Sequence, residues 1–514
     1  MMKYKDLIRT FGTGLLAAAL CLTMTTACTE ENPAGDDTEN NGGGGSAGGG
    51  TEDNGGGGST GSNYNIDYTD EDLTYDEATG VYTIRTERGL NVWARGIWEN
   101  GCPEASAVLA ADIVLGNDMP DYCTETLTWE AVDLLGNITF DGAGHTISGM
   151  RIENDHSSHG FFCTVEDGAK VINLTVEGSM RYTGDDESYR GGGIAGECDG
   201  GQIVNCTFRG TIDGGAVDGG SSRTALTMVG GIVGYAHNGS TIRNCTAEGT
   251  FTAGGSFSQV GGIVGQNSMQ TLGQTVRDCH TTENCHVTGY WAGGIAGYLY
   301  GSSTELRDCS SGAEVTGPSR VGGIVGFLEG RGITGCHTTE TCRVSSPVYA
   351  GGLVGWLSSG CLSGCYSLAE VTGTESESRT GYAGGLVGFG DNDEYIVGCY
   401  FAGTAQAPVK AGPFIGHQNY YVYQSAIYAS GRVLIDGVED PSLTNVYYTY
   451  MPSTSTEVSL TADGKLDWET TTTELNKHIT AYNRDNVKKC EYHFVQTDGT
   501  SNPPALAEGE PGAN

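Results

Sequence analysis

Positive charge is scarce in this chain, and so is charge altogether. Lys and Arg number 26 among 514 residues, against 63 Asp and Glu, for a formal net charge of −37. That balance gives no electrostatic basis for holding nucleic acid or for docking a basic face on anionic lipid. Charged residues make up 17%, too few for a coiled coil or a long helical array. Long apolar runs are nearly missing. The run Leu15–Leu22 is far shorter than the roughly 20 residues of a spanning helix, and no other stretch is apolar enough to cross a bilayer. Several catalytic signatures are also absent. There is no His-Glu-x-x-His and no glycine loop followed by Lys-Ser/Thr, and Gly-x-Ser-x-Gly occurs only as Gly44–Gly48 and Gly57–Gly61 inside the glycine-rich run, with no strand pattern before it or helix pattern after it to make a nucleophile elbow. The common metallopeptidase, serine-hydrolase and phosphate-loop patterns are therefore missing.

What is present begins with an address. Lys3, Lys5 and Arg9 precede the short apolar run, and Thr25-Thr26-Ala27-Cys28 follows it. A basic start, an apolar core and a small-residue cleavage site predict a secretory signal over 1–27. Cysteine in that place resembles a bacterial lipoprotein signal, which implies acylation of Cys28 and attachment to outer-membrane lipid. Residues 28–63 are rich in glycine and acids and cannot repay the entropy of ordering, so a flexible tether is expected. Acids directly after the cysteine resemble the surface-export signal of some Gram-negative lipoproteins, which implies a chain facing the cell exterior.

Glycine is the second abundance, 84 residues, and it falls in a repeat. Gly-Gly-(Ile/Leu)-(Val/Ala)-Gly starts at 192, 230, 261, 293, 322, 351 and 384, with a decayed copy Ala411–Gly416. Each full copy is followed by an aliphatic residue, one variable residue, an Asn, Asp or Gly, and then Cys206, Cys245, Cys279, Cys309, Cys336, Cys365 or Cys399. Asn, Asp and Gly are the residues that accept left-handed backbone angles. A bend there would turn both the aliphatic residue and the cysteine inward, which strict strand alternation forbids. Units of about 30 residues with such short strands cannot bury a face alone, so they must stack in parallel register around a shared core. A propeller needs about 40–50 residues per blade, more than these steps supply.

Gly-Gly-Ile-Val-Gly followed by Ile-x-Asn-Cys resembles the GLUG motif of bacterial surface proteins. Phe140–Ser148 looks like the opening coils of the same proteins, and Val171–Val176 reads as an eighth corner with Leu174 in the cysteine slot. The resemblance implies an all-β fold, a right-handed parallel β-helix of about ten coils, and no catalytic machinery. The expected organisation is an N-terminal cap over 64–135, including a short helix at Leu90–Trp98, and the β-helix over 136–417, with repeats from 191. The remainder, 418–514, is read as irregular Tyr-rich coils, a capping helix opened by Thr471–Glu474, a strand Glu491–Val495 and a frayed tail from Asn502.

Four groups of residues are candidates for chemistry. The ladder cysteines are expected as buried thiols. Cys279–Cys285 and Cys336–Cys342 share the pattern Cys-His-Thr-Thr-Glu-x-Cys and are the candidate disulfides, since an exported protein permits them; zinc at Cys279, His280 and Cys285 would lack a fourth ligand. His145 is read as a structural corner. The acid runs Asp185–Glu187 and Asp391–Glu394 allow weak calcium binding in return loops but fit no twelve-residue calcium loop; no other cofactor or metal is expected. The residues after the repeat glycine include Tyr235, Tyr298, Phe327, Trp356 and Phe389. Turned inward they are plain core; turned outward they form a strip for flat sugar rings or protein contacts. Non-catalytic adhesion or ligand binding, with a glycan or a host or bacterial surface protein as partner, is the function expected. The alternatives are glycan capture for a polysaccharide uptake system, and a β-helix lyase or glycoside hydrolase.

Overall fold

The computed structural model describes residues 67–509 apart from 101–105, 119–122, 185–187, 217–225, 269–273, 377–378, 392–393, 420–421, 444–445, 452–467, 486–489 and 496–504. The signal, Cys28 and the tether lie outside the described residues.

The described chain is a parallel β-solenoid of about ten turns. One coil shows how the repeat builds it. Arg320–Gly322 is a short strand, the chain bends at Gly323 and Ile324, and Val325–Thr334 runs on to a corner at Gly335 and Cys336. His337–Thr338 and Arg343–Ser346 complete the turn. A Cβ on Gly322 would lie 2.6 Å from Gly355 N and closer still to the Val325 carbonyl oxygen. The first glycine of the pair is therefore fixed by close backbone approach. The bend sends Ile194, Ile232, Ile263, Ile295, Ile324, Leu353 and Leu386 inward, all fully buried. The first glycines pair in parallel from Gly192 through 230, 261, 293, 322, 351 and 384 to Gly412, so the decayed copy is the last rung.

The corner bears out the sequence reading. Asn173, Asn205, Asn244, Asp278 and Asp308 hold φ between +53° and +57°, and Gly335, Gly364 and Gly398 between +61° and +66°. The seven following cysteines and Leu174 are buried. Each thiol faces a carbonyl of the neighbouring coil; Cys309 Sγ lies 3.7 Å from Val276 O and 3.2 Å from Arg307 O. Burial pushes the Cys309 and Cys365 thiols well above the usual range, which keeps them protonated. Outside the core the corner amides form their own ladder. Asn244 Nδ2 donates to Asn205 Oδ1 (2.7 Å), Asn205 to Asn173 (3.0 Å), and Asn173 to Asp141 (3.0 Å).

Parallel pairing reaches beyond 136–417 at both ends. Val81–Ile84 already pairs in parallel with Ser106–Leu109, which pairs with Thr139–Asp141. Between the first two lies α1 (Glu87–Asn100), three residues longer at its start than the sequence indicated. Thr86 caps it by accepting from Gly89 N–H at 3.2 Å. Its Trp93 sits 5.0 Å from Phe140 and 6.5 Å from Phe162, plugging the interior. At the other end Val422–Ala429 and Arg432–Ile435 add parallel rungs, and Val446–Met451 and Val438–Glu439 close them with antiparallel pairs.

The C-terminal segment departs from expectation. Helix α2 (Trp468–Asp485) begins before Thr471, so Thr471–Glu474 lie inside it and cap nothing. Ala505–Glu508, expected as frayed tail, pairs antiparallel with Tyr492–Val495. Helix and hairpin do not close the end of the solenoid; they lie along its side, over the corners. Tyr492 donates its hydroxyl to Asp308, and Arg307 pairs with Glu491. A Cβ on Gly364 would fall on the Tyr492 ring, and one on Gly398 would come 2.8 Å from Cys490 Sγ. This explains why the corner residue changes from Asn or Asp to Gly in the later repeats. The segment also covers a ring stack on the residues after Cys336, Cys365 and Cys399, continued by Tyr428 in the next coil. His337–Tyr366, Tyr366–Tyr400 and Tyr400–Tyr428 have centroids 4.5, 4.7 and 4.9 Å apart, with Phe494 5.5 Å from Tyr428.

Two predictions follow from these contacts. Gly364→Asn keeps a residue suited to the corner but places a side chain in the Tyr492 ring. Hydrogen exchange should accelerate about 10- to 100-fold in α2 and Tyr492–Val495 while the interior strands stay protected; unchanged exchange in α2 would refute the lateral docking. His337 is held at a pKa of about 4, below its ordinary 6.5, first by burial and then by His280. Below pH 6.5 the unfolded chain takes up a proton that the folded imidazole refuses, so this group lowers stability as pH falls. His337→Tyr removes that titration and extends the stack. The variant's advantage in unfolding free energy should grow on acidification, by up to about 1.4 kcal/mol per pH unit. Chemical denaturation at pH 7 and pH 5 measures it, and a difference independent of pH would exclude the coupling.

Candidate functional site

The bend at the glycine pair brings two outward side chains of one coil together, seven residues apart in sequence. Arg190 Nη1 meets Glu197 Oε2 at 2.6 Å, the rings of Trp291 and Tyr298 are 5.0 Å apart, and those of Tyr349 and Trp356 5.5 Å. Stacking repeats the pair at each coil and makes a two-walled outer corner. One wall runs in register through Glu197, Tyr235, Gln266, Tyr298, Phe327, Trp356, Phe389 and His417. The facing wall runs through Arg190, Met228, Gln259, Trp291, Arg320, Tyr349, Tyr382 and Lys410.

All five sequence-selected aromatics therefore share one wall, and none belongs to the interior core. They point outward, yet the facing wall shields them. Phe389 is 2% exposed and Phe327 8%, whereas Tyr235, Tyr298 and Trp356 are half-buried. The facing wall was missed, although its signal was legible: the residue two places before each glycine pair is large in every repeat.

The corner changes character along its length. Around Glu197 it is ionic. Burial alone would raise the Glu197 pKa, but the hydrogen bond from His237 (Nε2–Oε1 2.7 Å) and the charge of Arg190 outweigh it and hold it low. His237 also stacks on Tyr235 at 4.5 Å. Nearby Asp133 and Glu166 shift the other way, first through burial, with like-charged neighbours adding to it. From Trp291 onward the corner is aromatic. The Arg320 guanidinium lies 3.9 Å from the Trp356 ring, 4.3 Å from Phe327 and 5.0 Å from Trp291. Tyr298 donates to Glu329 at 3.0 Å.

The other candidates separate. Cys279, Cys285, Cys336 and Cys342 are all free and buried. Register explains why the proposed pairs do not form. Cys285 stands opposite Gly249, whereas Cys279 is level with Cys245. Four residues of extended chain span about 13 Å, beyond the roughly 7 Å limit of a disulfide. Cys342 is likewise level with Ala313 and Cys336 with Cys309, again four residues apart. Cys279 points inward while His280 bonds Ser310 Oγ outside at 2.8 Å, so the two cannot share a zinc ion. Among the described residues no three His, Cys, Asp or Glu side chains converge to hold a metal. Glu394 is not a loop residue; it is fully buried in the strand Glu394–Val397. Asp185–Glu187 and Asn392–Asp393 lie outside the described residues. His145 binds Asp112 across coils at 3.0 Å, a structural tie.

Comparison with known proteins adds little beyond the motif. No curated protein matches the chain. A crystal structure described as that of a putative immunoglobulin A1 protease from Bacteroides ovatus is similar over 77% of this chain and 87% of that one, at 16% identity and a TM-score of 0.33. A likeness of that size carries no weight for activity, and the fold rests on the registers given above. Residues 225–252 match the family described as the GLUG motif. The chain is thus a parallel β-solenoid that carries the GLUG motif.

Proposed function

We propose that this chain is a non-catalytic surface lipoprotein, anchored through Cys28, that binds its ligand along the outer aromatic corner. The lipoprotein-like signal and acidic tether support the placement. The observation that carries the binding role is the half-buried Trp356, set in an unbroken outward ladder between Phe327 and Phe389. Outward aromatics without an interior packing role are a surface for sugar rings or for a protein partner, and a repeat of one ring per coil suits a long ligand lying along the stack. Adhesion to a glycan and capture of a glycan for uptake use the same surface. Cleavage is the weaker reading. Its best carboxylate, Glu197, has one oxygen committed to Arg190 and the other to His237, which leaves no free base or nucleophile there.

Binding of the protein to a glycan array, compared with Trp356→Ala, tests this role. The parent should retain a defined set of saccharides. The variant should lose about tenfold in affinity, the worth of one aromatic contact, while circular dichroism shows the solenoid still folded, with a melting temperature lowered only by the lost ring packing. Equal binding by parent and variant, or no saccharide retained by the parent, would overturn it.

A further inference from the structure

We infer that Arg320 is the anchor for an anionic group, a carboxylate or a sulfate, on an acidic saccharide lying along the corner; this rests on the binding role proposed above and names its ligand class. The first ground is a half-buried charge without an ion pair. Arg190, Arg209, Arg307 and Arg343 each have a carboxylate within reach. Among the described residues, none lies within 4.0 Å of Arg320, and its guanidinium makes no hydrogen bond. The charges of Glu329 and Asp391 act on it from a distance, but neither carboxylate closes to an ion pair, and unlike the exposed Arg243, which also lacks one, Arg320 is half-buried. Glu329, on the same face, is engaged by the Tyr298 hydroxyl at 3.0 Å.

The second ground is orientation. Rings on several sides hold the guanidinium at 3.9 to 5.0 Å, and Arg320 remains only half-buried. The rings bury Nε, while the terminal nitrogens Nη1 and Nη2 are neither buried nor hydrogen-bonded and are the donors left for a ligand. They form a fork of donors matched to a planar carboxylate or a sulfate. The polar atoms left without a hydrogen bond beside it are Arg320 Nε, Trp291 Nε1 and Trp356 Nε1, and all three are donors. Their burial means that the terminal nitrogens of Arg320 are the donors a ligand can reach. A cationic ligand is excluded by Arg320 itself. A saccharide fits because half-buried rings of Tyr298, Tyr349 and Trp356 continue the surface above and below the charge. The overall negative charge of the chain opposes an anion only at long range, since the Debye length at 0.15 M salt is about 8 Å.

Titration calorimetry on the full chain distinguishes the possibilities. The probes are tetragalacturonate, its methyl ester, and a sulfated carrageenan tetrasaccharide without carboxylates. The acid or the sulfate should bind about 10- to 100-fold more tightly than the ester, the range of a charge-assisted hydrogen bond. The tighter of the two identifies the anion. Arg320→Met should remove that preference with an unchanged melting temperature, and Arg320→Lys should recover part of it. Comparing the probes on the parent protein keeps the test valid even if a variant misfolds. Equal affinity for the acid, the sulfate and the ester would overturn the anion anchor and leave the corner as a neutral sugar surface. Binding of other array saccharides but none of these three would also overturn it alone, whereas no saccharide binding at all removes both this inference and the role beneath it.

Discussion

Each short strand of this solenoid makes its ladder hydrogen bonds only to the coils above and below it. That constraint places every residue type directly over its counterpart in the next repeat, about 4.8 Å away. The composition follows from what tolerates being stacked on itself. Thiols, aliphatics, amides and rings do; like charges do so only with counter-charges beside them. Where charge occurs outside, it either alternates between coils or is relieved from the side: Arg243, Arg277 and Arg307 stand in one column, and Asp308 pairs with both Arg277 and Arg307. Arg209 lies between Glu177 and Glu248, and Arg343 pairs with Glu370 one coil on and stands beside Glu314. The low share of charged residues is thus a property of the stack, with the surplus of acids carried partly by segments outside it.

The same constraint made much of the fold legible. A repeat under register pressure writes itself in sequence, so the glycine bend, the left-handed corner and the buried cysteine could be read from the spacing and residue types alone. The C-terminal segment answers to no period, and its docking was not legible in its own residues. Its imprint was nevertheless present in the repeats. Asn and Asp give way to Gly335, Gly364 and Gly398 where Tyr492 and Cys490 come too close for a side chain. The misplaced disulfides failed for a related reason. A short spacing in sequence was read as proximity, but extended chain carries Cys279 and Cys285 about 13 Å apart along the same coil.

The candidate site was half legible for a reason of parity. Alternation predicts facing only along an unbroken strand, and the residue after the repeat glycine follows a bend. Whether Phe327 or Trp356 turns in or out therefore had no answer in the pattern. Burial alone would not have answered it either, because Phe389 is as covered as a core residue. What separates it from the core is the identity of its neighbours. It packs on Tyr349, Trp356 and His417, all outside the stack.

The corner also shows why packing and recognition are not alternatives here. An aromatic ladder closed by a second wall hides apolar surface that would otherwise drive association between molecules. Covering it entirely would leave nothing to bind. The walls compromise coil by coil: Arg190 and Glu197 neutralise each other at one end, Phe327 and Phe389 are sealed, and Tyr298, Tyr349 and Trp356 stay half open. Arg320 is the residue for which sealing is most costly, since burial lowers the pKa of its guanidinium and the nearby Glu329 carboxylate and the ring faces offset the lost water only in part. A residue chosen for stability alone at that rung would be another ring, as Trp291 and Tyr349 are on either side of it. The charge stands there against that cost, which is the physical reason for reading it as the proposed ligand anchor.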